Sequence, residues 1–374
     1  MLAIKNTTIF DGTGNKIEDK VILVKNGKFE SITNDKAIPD SYQVIDAAGK
    51  MVTPGLIDVH THLGVSEEGV GKEGSDFNET SSPITPQVRA IDGINPMEKG
   101  FEDARKSGVT TVQVMPGSAN VIGGEMVVLK TAGHIVDEMV VKAPSGMKAA
   151  LGENPKMVHG PKGKMPVTRM GVAARLREKL IEAQNYLNGE QKERKLDMEN
   201  LAKVIRKEIP LRVHAHRADD ILTVLRIKRE FDIDVTIEHC TEGHHIADYI
   251  AKHEDVRVSV GPTMSSRSKV ELKDKGWNTI KTLMDAGISC SITTDHPVVG
   301  ISYLVTSAVH AINGGITEEQ ALRAITIDAA KHLGVADRVG SIEVGKDADF
   351  VIWSGNPFDL RSQVEHVFIE GKAI

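Results

Sequence analysis

Apolar residues recur along this chain in two rhythms, and each predicts a different kind of structure. Near the start they alternate with polar residues in short runs at 4–10, 21–25 and 44–46, followed by Asp11-Gly12, Asn26-Gly27 and Gly49. Alternation with a period of two predicts strands with one buried face, and Asn-Gly or Asp-Gly between such runs predicts tight hairpins. A stretch of about fifty residues is too short to enclose a core alone. At the other end, runs at 348–353 and 364–370 are separated by Ser354-Gly355-Asn356-Pro357 and closed by Gly371. The two ends are therefore expected to meet in one small β-sandwich, residues 1–52 together with 337–374.

Between them the rhythm changes to buried runs alternating with stretches of helical period. Strand candidates fall at 56–59, 109–115, 146–151, 211–216, 235–239, 256–260 and 289–294, with one more at either 127–130 or 139–142. Helical stretches lie at 96–106, 168–188, 198–208, 219–230, 244–253 and 279–286. Pro96 suits a first helical position, and Gly108 and Gly287 suit C-terminal ends. Eight strands alternating with helices predict an α/β fold, a (β/α)8 TIM-type barrel over residues 53–336. The chemistry of such a barrel belongs at the C-terminal ends of its strands. The segment 192–206, rich in both charge signs, reads as a solvated helical face.

Composition narrows the partners. The 374 residues suffice for one such barrel and a small second unit, and 40% hydrophobic with 26% charged residues is ordinary globular chemistry. A formal net charge of −6 offers no basic footprint for nucleic acid, and no apolar run is long enough to span a membrane. The opening residues 1–8 lack the basic start and apolar core of a signal peptide, and Cys240 and Cys290 make no disulfide framework. A cytoplasmic protein acting on a small molecule is expected.

The chemistry gathers where the buried runs end. The run from Thr53-Pro54-Gly55 closes on His60-Thr61-His62, and residues two apart in a strand share a face. Two neutral imidazoles aimed into a barrel mouth can bind one metal ion. A lone His-x-His pair could equally be two hydrogen-bonded histidines. Three later runs end in similar chemistry, however: 211–216 in His214 and His216, 235–239 in His239, and 292–295 in the carboxylate Asp295. If the barrel forms, these groups converge, and a metal site accounts for them better than chance.

With these residues in place, the chain resembles the amidohydrolase superfamily over almost its full length, nearest to the imidazolonepropionase-related and prolidase-like members. Residues 44–62 are similar to the family's entry into its first barrel strand. Residues 321–334 and 340–353 resemble its closing helix and its return to the terminal sheet unit. The resemblance implies a hydrolase holding one or two divalent ions, zinc first, with iron or manganese as alternatives, and no organic cofactor. His60, His62, His216, His239 and Asp295 are the implied ligands. His216 is preferred to His214 because it stands nearer the strand end and Arg217-Ala218-Asp219 after it is similar to a His-x-x-acid pattern; His214 is then a packed neighbour. The fourth-strand ligand stays open. Gly146-Met147-Lys148 resembles the Gly-x-Lys of isoaspartyl dipeptidase and dihydroorotase-like members, whose carbamylated lysine bridges two metals. Glu153-Asn154-Pro155 resembles the Glu-x-Pro of N-acetylglucosamine-6-phosphate deacetylases. Lys148 is favoured over Glu153, and in one continuous strand the two would face opposite ways.

The implied reaction is hydrolysis of a C–N bond in an amide, cyclic amide or amidine. Asp295 would move the proton of a metal-activated water to the leaving nitrogen, and His239 or His216 would steady the oxyanion. Dipeptide hydrolysis and heterocycle deamination use the same ligands. The rival from another class is a non-catalytic scaffold of the same fold. A homo-oligomer is a family expectation alone. Weaker features keep two readings each: 118–120 with Gly123-Gly124 as substrate loop or plain turn, Arg169 and Arg267 as anion contacts or solvated cations, and His244 and His245 at the mouth or in solvent. Cys240 reads as packing, and His296 as a substrate contact.

Overall fold

A computed structural model describes residues 1–34, 38–163, 165–189 and 193–374, and its strands form two sheets. The chain opens with β1 (Leu2–Phe10), β2 (Lys16–Lys25), β3 (Lys28–Thr33), β4 (Gln43–Asp46) and β5 (Met51–Pro54). Asn26 (φ 52°) and Gly27 (φ 77°) turn β2 back onto β3, both in the left-handed region that a two-residue hairpin requires.

The second sheet begins at once with β6 (Leu56–Thr61). It continues side by side through β7 (Val109–Val114), β8 (Ile122–Lys130), β9 (Val140–Ala150), β10 (Leu211–Ala215), β11 (Val235–His239), β12 (Arg257–Val260) and β13 (Cys290–Ile292). Every residue of β6, β7, β8, β10 and β11 is buried, as in strands covered on both faces. The eight strands are not all parallel, which corrects the expected succession of parallel units: β8 runs antiparallel to both β7 and β9. Only residues 115–121 and 131–139 connect it to its neighbours, whereas a parallel pair needs a crossover of a dozen or more residues. Run 127–130 thus ends β8, and the run at 139–142 leads into β9.

The sheet nearly closes between β6 and β13. His62 donates its backbone N–H to the His296 carbonyl at 2.8 Å. The buried Asp58 carboxylate accepts from Thr293 Oγ1 (2.6 Å), Thr294 Oγ1 (2.6 Å) and Thr294 N (3.1 Å). Burial raises this carboxyl to about 6 against those donors, and the suture sets Asp295 beside His60 and His62.

Helices Lys99–Lys106, Arg169–Asn188, Leu196–Ile205, Ala218–Phe231 and Asn278–Asp285 fall close to their expected places. The first starts later than Pro96 because Glu98 caps it, accepting from Gly100 N at 2.7 Å. Of the charge-rich segment, Lys192 lies outside the described residues. The helix from Leu196 buries Met198, Leu201 and Val204, so only part of it is a solvated face.

β14 (Phe350–Trp353), β15 (Val364–Ile369) and β16 (Lys372–Ala373) bring the chain back to the first sheet, whose order is β16-β15-β14-β5-β1-β2-β3 with β4 on β1. Both chain ends therefore share one hydrogen-bonded sheet. It is rolled: Phe29 on β3 and Phe350 on β14, at opposite ends of the run β14-β5-β1-β2-β3, have ring centroids 6.1 Å apart. Ile4, Ile22, Val52, Phe350 and Phe368 fill its interior. Among the described residues no helix is long and apolar enough to cross a membrane.

Candidate metal centre

The C-terminal ends of β6, β10, β11 and β13 deliver the expected imidazoles and carboxylate to one cleft of about 530 Å³. His62, His214, His216, His239 and Asp295 line it. His60 lies deeper, fully buried, with its Nε2 3.5 Å from Asp295 Oδ1; His62 Nε2 lies 3.3 Å from the same oxygen.

Hydrogen bonds fix the direction of the ring nitrogens. His60 Nδ1 faces Glu238 Oε2 at 3.2 Å, His62 Nδ1 the Met115 carbonyl at 2.8 Å, and His239 Nδ1 the Gly261 carbonyl at 2.7 Å. Each partner can only accept, so each Nδ1 carries a proton, and a neutral ring then offers its lone pair on Nε2. The Nε2 atoms of His60 and His62 both face the Asp295 carboxylate, and that of His60 also meets Lys148 Nζ at 3.0 Å. The Nε2 of His239 has no hydrogen-bond partner among the described residues. Such a grouping favours a cation among its members; the Lys148 amine can supply one at His60, and donor atoms of His60, His239 and Asp295 fall within 4.8 Å of one another, close enough to share a metal ion. Burial, with Lys148 and His239 adjacent, pushes the His60 imidazole down to about 3, so it stays neutral as a ligand must.

Two of the candidate ligands stand on unusual backbone. His239 (φ 74°) and Asp295 (φ 53°) are left-handed, a conformation that costs a non-glycine residue of order 1 kcal/mol or more and is concentrated at functional sites. The turn swings each side chain off the strand alternation and over the barrel mouth.

Lys148, on β9, is wholly buried with its Nζ 3.0 Å from His60 Nε2, and burial lowers its amine to about 8. Glu153 is placed differently. β9 ends at Ala150, so no continuous strand joins the two positions, and Glu153 opens the helix Glu153–His159 with its backbone N–H on Glu271 Oε2 at 3.0 Å. The structure brings His214 in beside His216: donor atoms of both and of His239 lie within 4.8 Å of one another. His216 Nδ1 bonds Thr241 Oγ1 at 2.7 Å, while neither ring nitrogen of His214 has a hydrogen-bond partner among the described residues. Asp219, which had marked His216 as the ligand, pairs instead with Arg217 at 2.9 Å.

Several secondary expectations change. Arg169 pairs with Asp220 at 3.0 Å, and Arg267 donates to the Lys273 and Lys275 carbonyls, so both are committed within the chain. His296 is buried and accepts from Ile301 N on Nδ1 rather than lining the cleft. Ser118 does line it, whereas Asn120 is buried on the Glu79 carbonyl at 2.6 Å and Gly123 and Gly124 belong to β8. His244 bonds Thr279 Oγ1 at 2.9 Å and His245 is exposed near Asp274. Cys240 is packing, its thiol pushed up by burial. Sequence reasoning did not single out Glu238, Glu271, Lys269 or Phe77, which stacks on His62 at 5.0 Å.

A mixed α/β barrel that gathers imidazoles and a carboxylate at its mouth has the architecture of the barrel hydrolases. The chain belongs to the amidohydrolase family, whose model matches residues 51–374. The amidohydrolase tasK of Hapsidospora irregularis is 28% identical over 386 residues, 94% of this chain; the chain spans 39% of that protein's length. The imidazolonepropionase of Rhizobium rhizogenes is 27% identical over 373 residues, covering 90% of this chain and 87% of that one. Among solved structures, an amidohydrolase from Thermotoga maritima MSB8 is 42% identical with a TM-score of 0.97, covering 100% of this chain and 99% of its own.

Proposed function

We propose that this protein is a metal-dependent hydrolase that cleaves a C–N bond of a small molecule: an amide, cyclic amide or amidine. The observation that carries the reading is the set of three histidines whose Nδ1–H groups are tied to acceptors while their Nε2 atoms turn toward Asp295 at His60 and His62, with Lys148 Nζ beside that of His60, and toward no hydrogen-bond partner among the described residues at His239. His60, His62, His239 and Asp295 would hold the ion, with His214 or His216 and Lys148 available for a second; zinc suits this nitrogen-rich set, and iron or manganese would also serve. A bound divalent ion would acidify water and polarise the bond under attack. Glu238, Met115 and Gly261 hold the imidazoles in one tautomer. Asp295, which lines the cleft, takes the proton of the attacking water and passes it to the leaving nitrogen. His239 faces the negative charge that develops. The lowered Lys148 amine supplies the neutral form that carbamylation needs.

On this reading residues 53–336 are the catalytic barrel and residues 1–52 with 337–374 a supporting β-sandwich. The protein works in the cytoplasm on a small molecule, without nucleic acid or membrane, as a homo-oligomer or alone. Similarity to an imidazolonepropionase over nearly the whole of both chains favours a cyclic amide over a dipeptide. The test is Asp295→Asn, assayed on cyclic amides, amidines and dipeptides after zinc or manganese loading. It should retain metal and lose turnover by about 10²–10⁴-fold. A metal-loaded, fully active variant would remove Asp295 from the reaction. Wild-type protein that takes up no metal and has no activity would point to a scaffold.

A further inference from the structure

We propose that Glu271 is a metal ligand, forming with His214 and His216 a cation site beside the His60–His62–Asp295 group. The inference rests on the reading that this cleft binds divalent ions, and it says where a second ion sits. Glu271 lies in the short turn Val270–Leu272 beyond β12, and its side chain is wholly buried.

One carboxylate oxygen is anchored and the other is presented. Oε2 accepts from Glu153 N at 3.0 Å, with the Arg169 guanidinium 3.9 Å away. Gly152 (φ +85°) makes room for it, since a Cβ there would lie 2.8 Å from Oε2. Oε1 has no hydrogen-bond partner among the described residues. It stands 3.8 Å from His214 Nε2 and 3.8 Å from His216 Nε2. Those separations are too long for hydrogen bonds. They are close to the about 3.3–3.6 Å that separates two donors sharing a tetrahedral ion with bonds of about 2.0–2.2 Å. The Lys269 ammonium, 3.9 Å away, offsets part of the charge but gives this oxygen no hydrogen bond, donating instead to Asn154 Oδ1 at 2.7 Å.

The imidazoles complete the case. Among the described residues neither nitrogen of His214 has a hydrogen-bond partner, nor has His239 Nε2, which lies within the same group of donors. A buried carboxylate oxygen, two neutral imidazoles and a third at hand make the mixed oxygen–nitrogen set that zinc-like ions prefer. Such a site would hold an ion whether or not Lys148 is carbamylated, and it uses both histidines of the β10 pair. Buried unpaired donors of this kind are otherwise costly to leave unsatisfied.

The experiment measures zinc content of the full chain after titration and dialysis, with zinc-edge anomalous scattering from wild-type crystals. Wild-type protein should bind two equivalents and Glu271→Gln one, with the His60 side of the cleft still occupied. In wild-type crystals a peak should lie at bonding distance from Glu271 Oε1, which needs no variant to fold. Two equivalents retained by a folded Glu271→Gln, or a single wild-type peak bonded only on the His60 side, would overturn the Glu271 assignment and leave the metal-hydrolase reading intact. No zinc at all in wild-type protein would overturn both.

Discussion

Glu238 shows how a residue remote from the substrate can set the chemistry of the mouth. Its carboxylate takes hydrogen bonds from Thr236 Oγ1 (2.7 Å), Ser259 Oγ (2.5 Å), His332 Nε2 (3.0 Å) and His60 Nδ1 (3.2 Å), all buried. Those four donors use its lone pairs fully, so an amide in its place must turn an N–H toward one of them. Glu238→Gln should keep the fold and weaken zinc binding by about 10–100-fold, the usual effect of losing a carboxylate behind a ligating histidine. Competition with a chromophoric chelator reads this directly, and unchanged affinity would mean that Glu238 only fills space. The histidines themselves were legible, because the spacing of His60 from His62 and of His214 from His216 puts each pair on one face. Glu238 was not. Strand alternation sends it to the face opposite His239, but the left-handed His239 (φ 74°) breaks the alternation and both groups turn inward.

At the scale of elements, the ends of β12 and β13 act as a single ligand mount. Gly261 (φ +140°) follows β12, its carbonyl holds His239 Nδ1, and a Cβ there would fall 2.1 Å from the Thr293 carbonyl. Gly261→Ala should therefore destabilise the fold by at least about 2 kcal/mol and reduce metal affinity as well. Gly287 (φ +83°), with nothing within 4 Å of its would-be Cβ, is the matched control. Gly287→Ala should cost about 1 kcal/mol from backbone strain alone and leave metal content unchanged. Urea unfolding together with metal analysis separates the two; equal effects on metal would show that the clash at Gly261 is absorbed elsewhere. Strand positions were readable from apolar runs bounded by turn residues. The direction of β8 was not, because a strand buried on both faces shows no alternation, and only the short connections 115–121 and 131–139 betray it. Glu271 was illegible for another reason: it sits in a loop, where no period marks which side chain turns inward.

Across the whole molecule, the reversed strand also ties the barrel to the sheet made by the chain ends. Because β8 runs antiparallel, its last residue, Lys130, pairs with Thr111 near the start of β7, at the end of the barrel away from the mouth. There its buried ammonium meets Asp349, which precedes β14, and Asp347 at 3.1 Å. Asp347 keeps Lys28 (3.0 Å) and Arg338 (2.8 Å) if Lys130 is removed, but among the described residues the Asp349 carboxylate would be left with only the Glu370 N–H (2.9 Å). Lys130→Met should thus lower the unfolding free energy by about 3–5 kcal/mol, the cost of stranding one partner of a buried pair. Burial already raises the Asp349 carboxyl above its ordinary value. An acid whose folded pKa is raised binds its proton more readily folded than unfolded, so stability is gained as pH falls through that folded value. The deficit of Lys130→Met should therefore shrink on going from neutral to acid pH. A second change, Asp349→Leu, should recover much of it, because no unpaired charge remains. Zinc content and turnover per folded molecule should be untouched in both variants, since the clamp and the mouth lie at opposite ends of the barrel. Unfolding curves across pH, run beside metal analysis, test both halves: a pH-independent deficit would place the stabilisation in packing of the lysine stem, and lost metal would show that the terminal sheet reaches the site through the barrel wall.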